Sequence, residues 1–389
     1  MDLKQSREQI DLLDEQIVRL MIQRMDLMED VVRYKEENNL PVEYIQREQQ
    51  VLEHALSISP QDYADSMKLL YSAVFDICRD KQYRKMYNAE EHLKKVAEIT
   101  CTSITDNKDT RVLCQGVEGA YAHIAAKAVF KNADIAFEKT WKDVFEQVQC
   151  GKADYGVLPI ENSTAGSVNE VYDLMSHYNC FIAKAVKLRI DHCLVACEGT
   201  EIGSVKKILS HPQALSQCSH YTEELNAVTQ AMPNTAVAAE FVSKQKDKSL
   251  AAIASRLTAE LYGLKVLDSA VQNAGNNYTR FIVISRKMVL AENADRISLS
   301  MVIPHTAGSL NRVLMRFASY GLNLTKLESR PIPNTNFEFQ FYFDLEGSLR
   351  QEKVVILLNY LSKIYSEFHF LGNYDQICAD LEEDVNNQA

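Results

Sequence analysis

None of the 13 glycines in this chain occurs before Gly116. An opening stretch with no glycine, and with Pro41 and Pro60 as its strong breakers, has few places to turn sharply. It reads as three helices over roughly 3–38, 45–57 and 61–97. The first would be about 50 Å long at 1.5 Å per residue. A helix of that length in so small a segment must pack against a partner, and a second chain would serve.

From residue 98 to 110 the sequence is polar and aperiodic, a linker. Beyond it the pattern becomes α/β. The segments RVLCQ, YGVLPIE, HCLVAC and RFIVIS read as short buried strands, with helices expected over 121–131, 141–150, 168–177 and 251–262. Gly/Pro/Asn turns follow several strands, where sites in open α/β sheets commonly lie. Near 296 the pattern changes again. Ile297, Leu299, Met301 and Ile303 alternate along one strand. Leu310, Val313, Leu314 and Phe317 follow at helical spacing. Phe337, Phe339, Phe341, Phe343 and Leu345 then alternate, and a last helix covers about 350–366. This is an α+β module with a small antiparallel sheet.

Composition removes several classes. A formal net charge of -11 opposes general nucleic-acid binding, which needs a basic face. No stretch is apolar enough to span a membrane, and the opening residues lack the apolar run of a signal peptide. The nine cysteines show no paired CxxC spacing, so reduced thiols in the cytoplasm and no zinc site are expected. Cys193 and Cys197 lie in an apolar run and read as strand packing.

On a wheel of the first helix, Ile10, Leu13, Ile17, Leu20, Leu27, Met28 and Val31 share one face. Arg24 and Lys35 point into that face and Arg7 lies at its edge. Buried cations need anions, and a dicarboxylate ligand would supply them. Snorkelling or internal salt bridges would satisfy one such arginine. Three cations, with Arg47-Glu48 opening the next helix, favour a site. The pattern R-x16-R-x10-K, then R-E, then a late Gln resembles the all-helical chorismate mutase family, through Arg7, Arg24, Lys35, Arg47, Glu48 and Gln82. The resemblance implies a dimer that exchanges its long first helices, with Arg7 supplied to the other copy's site. It further implies that Lys35 and Gln82 donate to the ether oxygen of chorismate. Glu48 would bind its hydroxyl, and the arginines would clamp its carboxylates. Tyr44 and Cys78 depart from the family pattern, which has an acidic residue and Ser there, so a weakened mutase is expected.

In the α/β segment, GVEGAY (116–121) joins a strand to a helix and reads first as a structural turn. PIENSTAGSV (159–168), SHPQALSQC (210–218) and NNYTRFIVIS (276–285) place hydroxyls and amides at strand ends. With A-A-I-A-S (251–255) and Y-G-L (262–264), these in order resemble prephenate dehydratase. That family has a two-lobed α/β fold, periplasmic-binding-protein-like, with the site in the cleft. The resemblance implies that Thr279 assists departure of the hydroxyl while Asn162, Ser163, Ser210 and Gln217 orient substrate. Arg280 either anchors a carboxylate or braces the strand. Glu161 and His211 read as structural.

PHTAGSLNR (304–312) offers backbone amides at a helix start, and GLNLTKLESRP (321–331) follows. Residues 297–375 resemble an ACT domain of β-α-β-β-α-β order. The resemblance implies phenylalanine binding through Gly308, Ser309 and Leu310, Asn323 and Leu324, and Glu328, Ser329 and Arg330. Ser309 stands where the family has Ala.

The expectation is a multidomain cytoplasmic enzyme of phenylalanine synthesis. Residues 1–97 form an all-α helical mutase domain, 111–288 a two-lobed α/β dehydratase domain, and 296–378 an α+β ACT regulatory domain. Its substrates are chorismate and prephenate, its effector is phenylalanine, and it needs no cofactor, metal, nucleic acid or membrane. A homodimer or tetramer is expected. A monofunctional dehydratase on a decayed helical dimerisation domain is the alternative; a non-catalytic amino-acid sensor is a more distant one, opposed by the lack of a basic helix-turn-helix.

Overall fold

A computed structural model describes residues 2–42, 44–86, 103–332 and 338–379. The chain divides into two compact units. The first comprises the described residues of Met1–Glu98 with Gly308–Arg316 and Leu349–Ile364; the second comprises those of Ile99–Ala307, Phe317–Ser348 and Tyr365–Ala389.

The first unit is helical. Helix α1 (Leu3–Glu37) starts at Asp2, whose amide donates to the Gln5 side chain at 3.3 Å. It ends where Asn39 turns left-handed and the Leu40 amide returns to the Lys35 carbonyl at 2.9 Å. Helix α2 is Ile45–Ser57. Pro60 then opens a single 3₁₀ turn that leads into α3 (Ala64–Met86). The expected third helix thus forms as far as Met86, and residues 87–97 lie outside those described. Most of the apolar face of α1 is uncovered within the chain, Leu20 being 64% exposed.

The second unit holds three sheets. The largest contains β1 (Arg111–Gln115), β2 (Asp134–Glu138), β3 (Tyr155–Asn162), β4 (Gly166–Ser167), β5 (Phe181–Arg189), β11 (Tyr278–Ser285) and β16 (Gln376–Ala379). Its order is β16-β5-β11-β3-β1-β2, with β4 paired to β3. Helices α4 (Tyr121–Val129), α5 (Trp141–Gln149) and α6 (Asn169–His177) accompany it. A second lobe has the order β10-β6-β9-β7-β8, from β6 (Cys193–Ala196), β7 (Lys207–Ser210), β8 (Val228–Ala231), β9 (Leu250–Ala254) and β10 (Lys265–Asp268). Its helices are α7 (Pro212–Gln217), α8 (Ser219–Glu224), α9 (Thr235–Gln245) and α10 (Arg256–Leu261). The chain leaves the first lobe after β5 and returns at β11. Two lobes joined by two crossings leave a cleft at the ends of β3, β7 and β11.

Two expectations change here. Residues 251–254 are a buried central strand, not a helix. Alanine favours helix, but flanking β6 and β7 supply ladder partners, and Ser255 caps the short helix after it by accepting from the Thr258 amide. Residues 103–110, read as linker, are tied to the first lobe. Asp106 accepts from the amides of Lys131, Asn132 and Ala133, and the Thr105 amide donates to the Tyr155 hydroxyl.

The third sheet runs β13-β14-β12-β15, from β12 (Arg296–Val302), β13 (Leu324–Pro331), β14 (Phe339–Glu346) and β15 (His369–Tyr374). Helix α11 (Ser309–Ser319) follows β12 in the chain and α12 (Glu352–Ile364) follows β14, which gives the expected β-α-β-β-α-β order. Phe337 lies outside the described residues. The polar residues that alternate with the apolar ones on β12 and β14, Ser298, Ser300, Tyr342 and Asp344, are buried too. Tyr342 donates to the Tyr172 carbonyl at 2.8 Å, so this polar face packs on the first lobe.

Candidate functional site

Two groups of side chains have the composition of sites. In the helical unit, Lys35 donates to the Gln82 side chain at 2.8 Å and to the Val42 carbonyl at 2.5 Å. Burial lowers the Lys35 pKa, and nearby Glu48 opposes that shift. Arg24 reaches the Cys78 thiol. Arg79, which the sequence does not advertise, lies 3.5 Å from Glu48 and 3.0 Å from Asp76. The fold therefore gathers Arg24, Lys35, Glu48, Cys78, Arg79 and Gln82 from three helices. Arg47 opens α2 exposed, its guanidinium 3.4 Å from the Gln50 side chain. Arg7 is exposed, and 17 residues before Arg24 on one helix it stands about 25 Å away along the axis. One chain does not bring it to this cluster.

The second group lies in the cleft between the lobes. On β11, Thr279 pairs with Asn162 of β3. The Asn162 amide nitrogen donates to the Thr279 hydroxyl at 2.9 Å, to the Asn277 side chain at 2.8 Å and to the Tyr278 carbonyl at 3.2 Å. Its oxygen accepts from the amides of Thr164 and Ala165 at 3.0 and 2.9 Å. Asn162 is thus fully engaged and leaves the Thr279 oxygen with an accepted bond, its own proton directed elsewhere. Gln217, from the other lobe, reaches Asn162 at 3.5 Å and accepts from Asn277 at 3.1 Å. His192 stands 3.1 Å from Gln217, and burial lowers its pKa. Apart from that imidazole, these side chains are amides and hydroxyls.

The remaining expected residues separate. Ser163 accepts from the Tyr278 amide and donates to the Asn276 carbonyl, at the exposed rim. Ser210 is completely buried and donates to the Ile253 carbonyl at 2.7 Å, so it ties β7 to β9. His211 caps α7 by accepting from the Gln213 amide, the structural role expected. The GVEGAY turn is structural too: Thr258 donates to the Gly119 carbonyl at 2.8 Å. A Cβ on Gly119, whose φ is +85, would meet Thr258 and Leu261.

Arg280 resolves in favour of bracing. Strand alternation sends it to the opposite face from Thr279. There it sits buried, 2.5 Å from Asp344 and 3.4 Å from Glu161. Lys326 of β13 completes the pair with Glu161 at 2.6 Å. Two further β13 side chains face the same way: Glu328 accepts from Ser167, and Arg330 grips Asp173 with two bonds of 3.0 Å. Within this unit Glu328 and Arg330, expected at an effector site, are engaged with the first lobe. Ser329 faces outward between them, and Asn323 donates to Glu346 at 3.0 Å. In the helical unit, Gly308 with φ +81 opens α11, and Ser309 is buried, accepting from Arg312 at 2.9 Å.

Among the neglected residues, Asn277 sat inside the NNYTRF motif without being singled out. Arg79 gave no signal, since a lone arginine on a helix is ordinarily a solvated one.

A helical bundle with clustered cations, joined to a two-lobed α/β cleft, defines a fused mutase–dehydratase. Residues 6–83 match the chorismate mutase type II family model and 112–289 the prephenate dehydratase model. A bifunctional chorismate mutase/prephenate dehydratase from Escherichia coli K12 is 31% identical over 95% of both chains. A solved prephenate dehydratase in complex with L-Phe, from Arthrobacter aurescens, matches 68% of this chain and 90% of its own, with 29% identity and a TM-score of 0.64. A solved structure described as a quorum quenching acylase, GqqA, matches 69% of this chain and 98% of its own at 30% identity and a TM-score of 0.63. The two solved structures match about two thirds of this chain, whereas the E. coli relative matches nearly all of it. The chain belongs to the bifunctional chorismate mutase/prephenate dehydratase family. It carries both activities, within aromatic amino acid biosynthesis.

Proposed function

We propose that the two clusters are the two active sites and that the C-terminal module makes the enzyme responsive to phenylalanine. In the mutase, Arg24 and Arg47 hold the carboxylates of chorismate, Lys35 and Gln82 donate to the ether oxygen, and Glu48 takes the hydroxyl. The rearrangement has no covalent step, so holding the reactive conformer and stabilising the developing oxygen charge suffice. The mutual contact of Lys35 and Gln82 supports this reading. Burial works against the Lys35 charge, and Glu48 nearby favours it. Arg7 completes the site of a second copy. The exposed apolar face of α1, with Ile10, Leu13, Ile17 and Leu20 all uncovered, supports a homodimer built on that helix.

In the dehydratase, the departing carboxylate leaves its electron pair in the ring as CO₂ forms. The ring expels the hydroxyl, which leaves as water with a proton delivered through Thr279. The observation that carries this reading is the Asn162–Thr279 bond, which fixes the hydroxyl with its oxygen already accepting. Gln217 contributes from the facing lobe. Ser163 is the exposed substrate contact; Ser210 acts through β7. Neutral donors suit the chemistry, because a cation beside the leaving carboxylate would stabilise the ground state and slow its loss.

The relative whose solved structure contains L-Phe supports phenylalanine as effector. Its carboxylate would sit on the amides that open α11. Free thiols support cytoplasmic placement, since the eight described cysteines are unbridged. No described helix is long and apolar enough to cross a membrane.

The test is to feed the purified protein chorismate and follow prephenate and phenylpyruvate, with and without phenylalanine. Phenylpyruvate from chorismate alone, suppressed by phenylalanine, bears out the reading. Phenylpyruvate only from added prephenate would leave the helical unit a scaffold.

A further inference from the structure

Helix α3 carries two different stripes. Cys78 and Gln82 face the mutase cluster. Asp76, Asp80 and Tyr83 recur at i, i+4 and i+7 and face the helices of the C-terminal module that belong to this unit. Arg316 of α11 is 6% exposed. It donates to the Asp76 carbonyl at 2.7 Å and lies 3.6 Å from the Asp76 carboxylate and 3.4 Å from that of Asp80. Its guanidinium also rests on the Tyr360 ring of α12, 4.6 Å from the centroid, and Tyr360 meets Tyr83 edge-on at 4.6 Å.

The Asp76 oxygen that faces Arg316 also accepts from Arg79 at 3.0 Å, and Arg79 reaches Glu48 at 3.5 Å. We infer that Arg316 of the C-terminal module is a positioning residue for the chorismate mutase, acting on Glu48 through Asp76 and Arg79. The inference rests on the reading of Glu48 as a substrate contact.

The physical reason is a competition for Arg79. Asp76 and Asp80 are two carboxylates largely shielded from water, and Arg316 neutralises part of their charge. Without it they draw Arg79 more strongly, since a shielded carboxylate that loses a cation is costly. The arm of Arg79 that gives way is the longer one, to Glu48. Glu48, held less firmly by Arg79, then turns towards Lys35, where it would occupy the charge meant for the substrate. The mutase thereby depends on a residue more than two hundred positions away.

The test uses the full-length protein without effector. Arg316→Gln should lower mutase kcat/KM by about tenfold, mostly in the chorismate KM because a binding carboxylate is misplaced. Prephenate dehydratase kcat/KM on the same preparation should stay within about twofold, which reports that the chain is folded. Arg316→Lys, which keeps the charge, should recover most of the loss. Glu48→Gln serves as the reference. If Glu48→Gln impairs the mutase while Arg316→Gln leaves it within about twofold, the inference is overturned and the site reading stands. If Glu48→Gln leaves the mutase intact, the reading of Glu48 fails and the inference falls with it. Equal loss in Arg316→Gln and Arg316→Lys would also overturn it, since charge would not be the cause.

Discussion

Asn162→Asp is the sharpest test of the dehydratase site, because it changes one NH₂ to an oxygen and almost nothing in volume. In the wild type that NH₂ donates to Asn277 at 2.8 Å, Thr279 at 2.9 Å and the Tyr278 carbonyl at 3.2 Å. A carboxylate oxygen there faces three acceptors. Thr279 can relieve one clash by donating its own proton to the new carboxylate, and on the proposed reading that proton is the one the leaving hydroxyl needs. The variant therefore loses a pre-aligned donor at the atom where charge develops. Removing such a donor costs about 10²–10³ in kcat, or roughly 3–4 kcal/mol. The prephenate KM should change little, since Asn162 spends all its bonds inside the protein. Mutase activity on the same chain, carried by the other unit, should be unaffected. Stopped prephenate assays of wild type, Asn162→Asp and Thr279→Val should then show the two variants similarly impaired. An Asn162→Asp enzyme within about tenfold of wild-type kcat would refute the argument, because Thr279 would then not depend on this amide.

Arg280→Met removes the cation that Asp344 and Glu161 share, leaving Lys326 beside Glu161, and should cost about 3–5 kcal/mol in denaturant unfolding. Asp344→Leu in the same background should recover part of that loss. His123 accepts from the Gly119 amide at 3.0 Å, and burial, ahead of Lys127, lowers its pKa to about 4. Its folded pKa is depressed below the ordinary value, so stability present above about pH 6.5 should be lost on acidification towards pH 4, by roughly 3 kcal/mol. His123→Asn, which keeps an acceptor without the titration, should flatten that slope in thermal unfolding. Arg24→Ala should reduce mutase activity by about a hundredfold or more while prephenate turnover continues. Saturating phenylalanine should lower dehydratase kcat/KM by roughly tenfold, and unchanged kinetics would remove the effector reading.

Much of this was legible in the sequence. Glycine distribution and helical spacing located α1 and α2 to within a residue, because local propensity and an amphipathic pattern agree there, and α3 begins at Ala64, after a 3₁₀ turn where the helix was expected to start. Asn162, Gln217 and Thr279 were singled out by the resemblance that the strand-end motifs carry, and the structure brings the three together. What failed was non-local. The run AAIAS reads as helix by propensity and becomes a strand because β6 and β7 flank it. The alternation of β14 said nothing of what covers its polar face, and Asp344 there is buried where Arg280 meets it from another sheet. Ser210 and Thr279 look alike in sequence, but the Ile253 carbonyl claims one hydroxyl and not the other.

The two sites also show how secondary structure distributes charge. On helices α1 to α3, neighbouring turns can point several charged groups at one spot. In the proposed mutase site this places Arg24, Lys35 and Glu48 together, where they would surround a dianion whose charge barely changes during reaction. On strands, successive residues must face opposite ways. Asn162 and Thr279 therefore face the cleft, while their neighbours Glu161 and Arg280 face the third sheet and neutralise each other with Asp344 and Lys326. The alternation keeps the cation that follows Thr279 away from a carboxylate that must leave as CO₂. It also means that the strands holding the dehydratase chemistry are gripped from behind by β13 and β14. One of those grips is on Arg280, the residue next to Thr279 in β11.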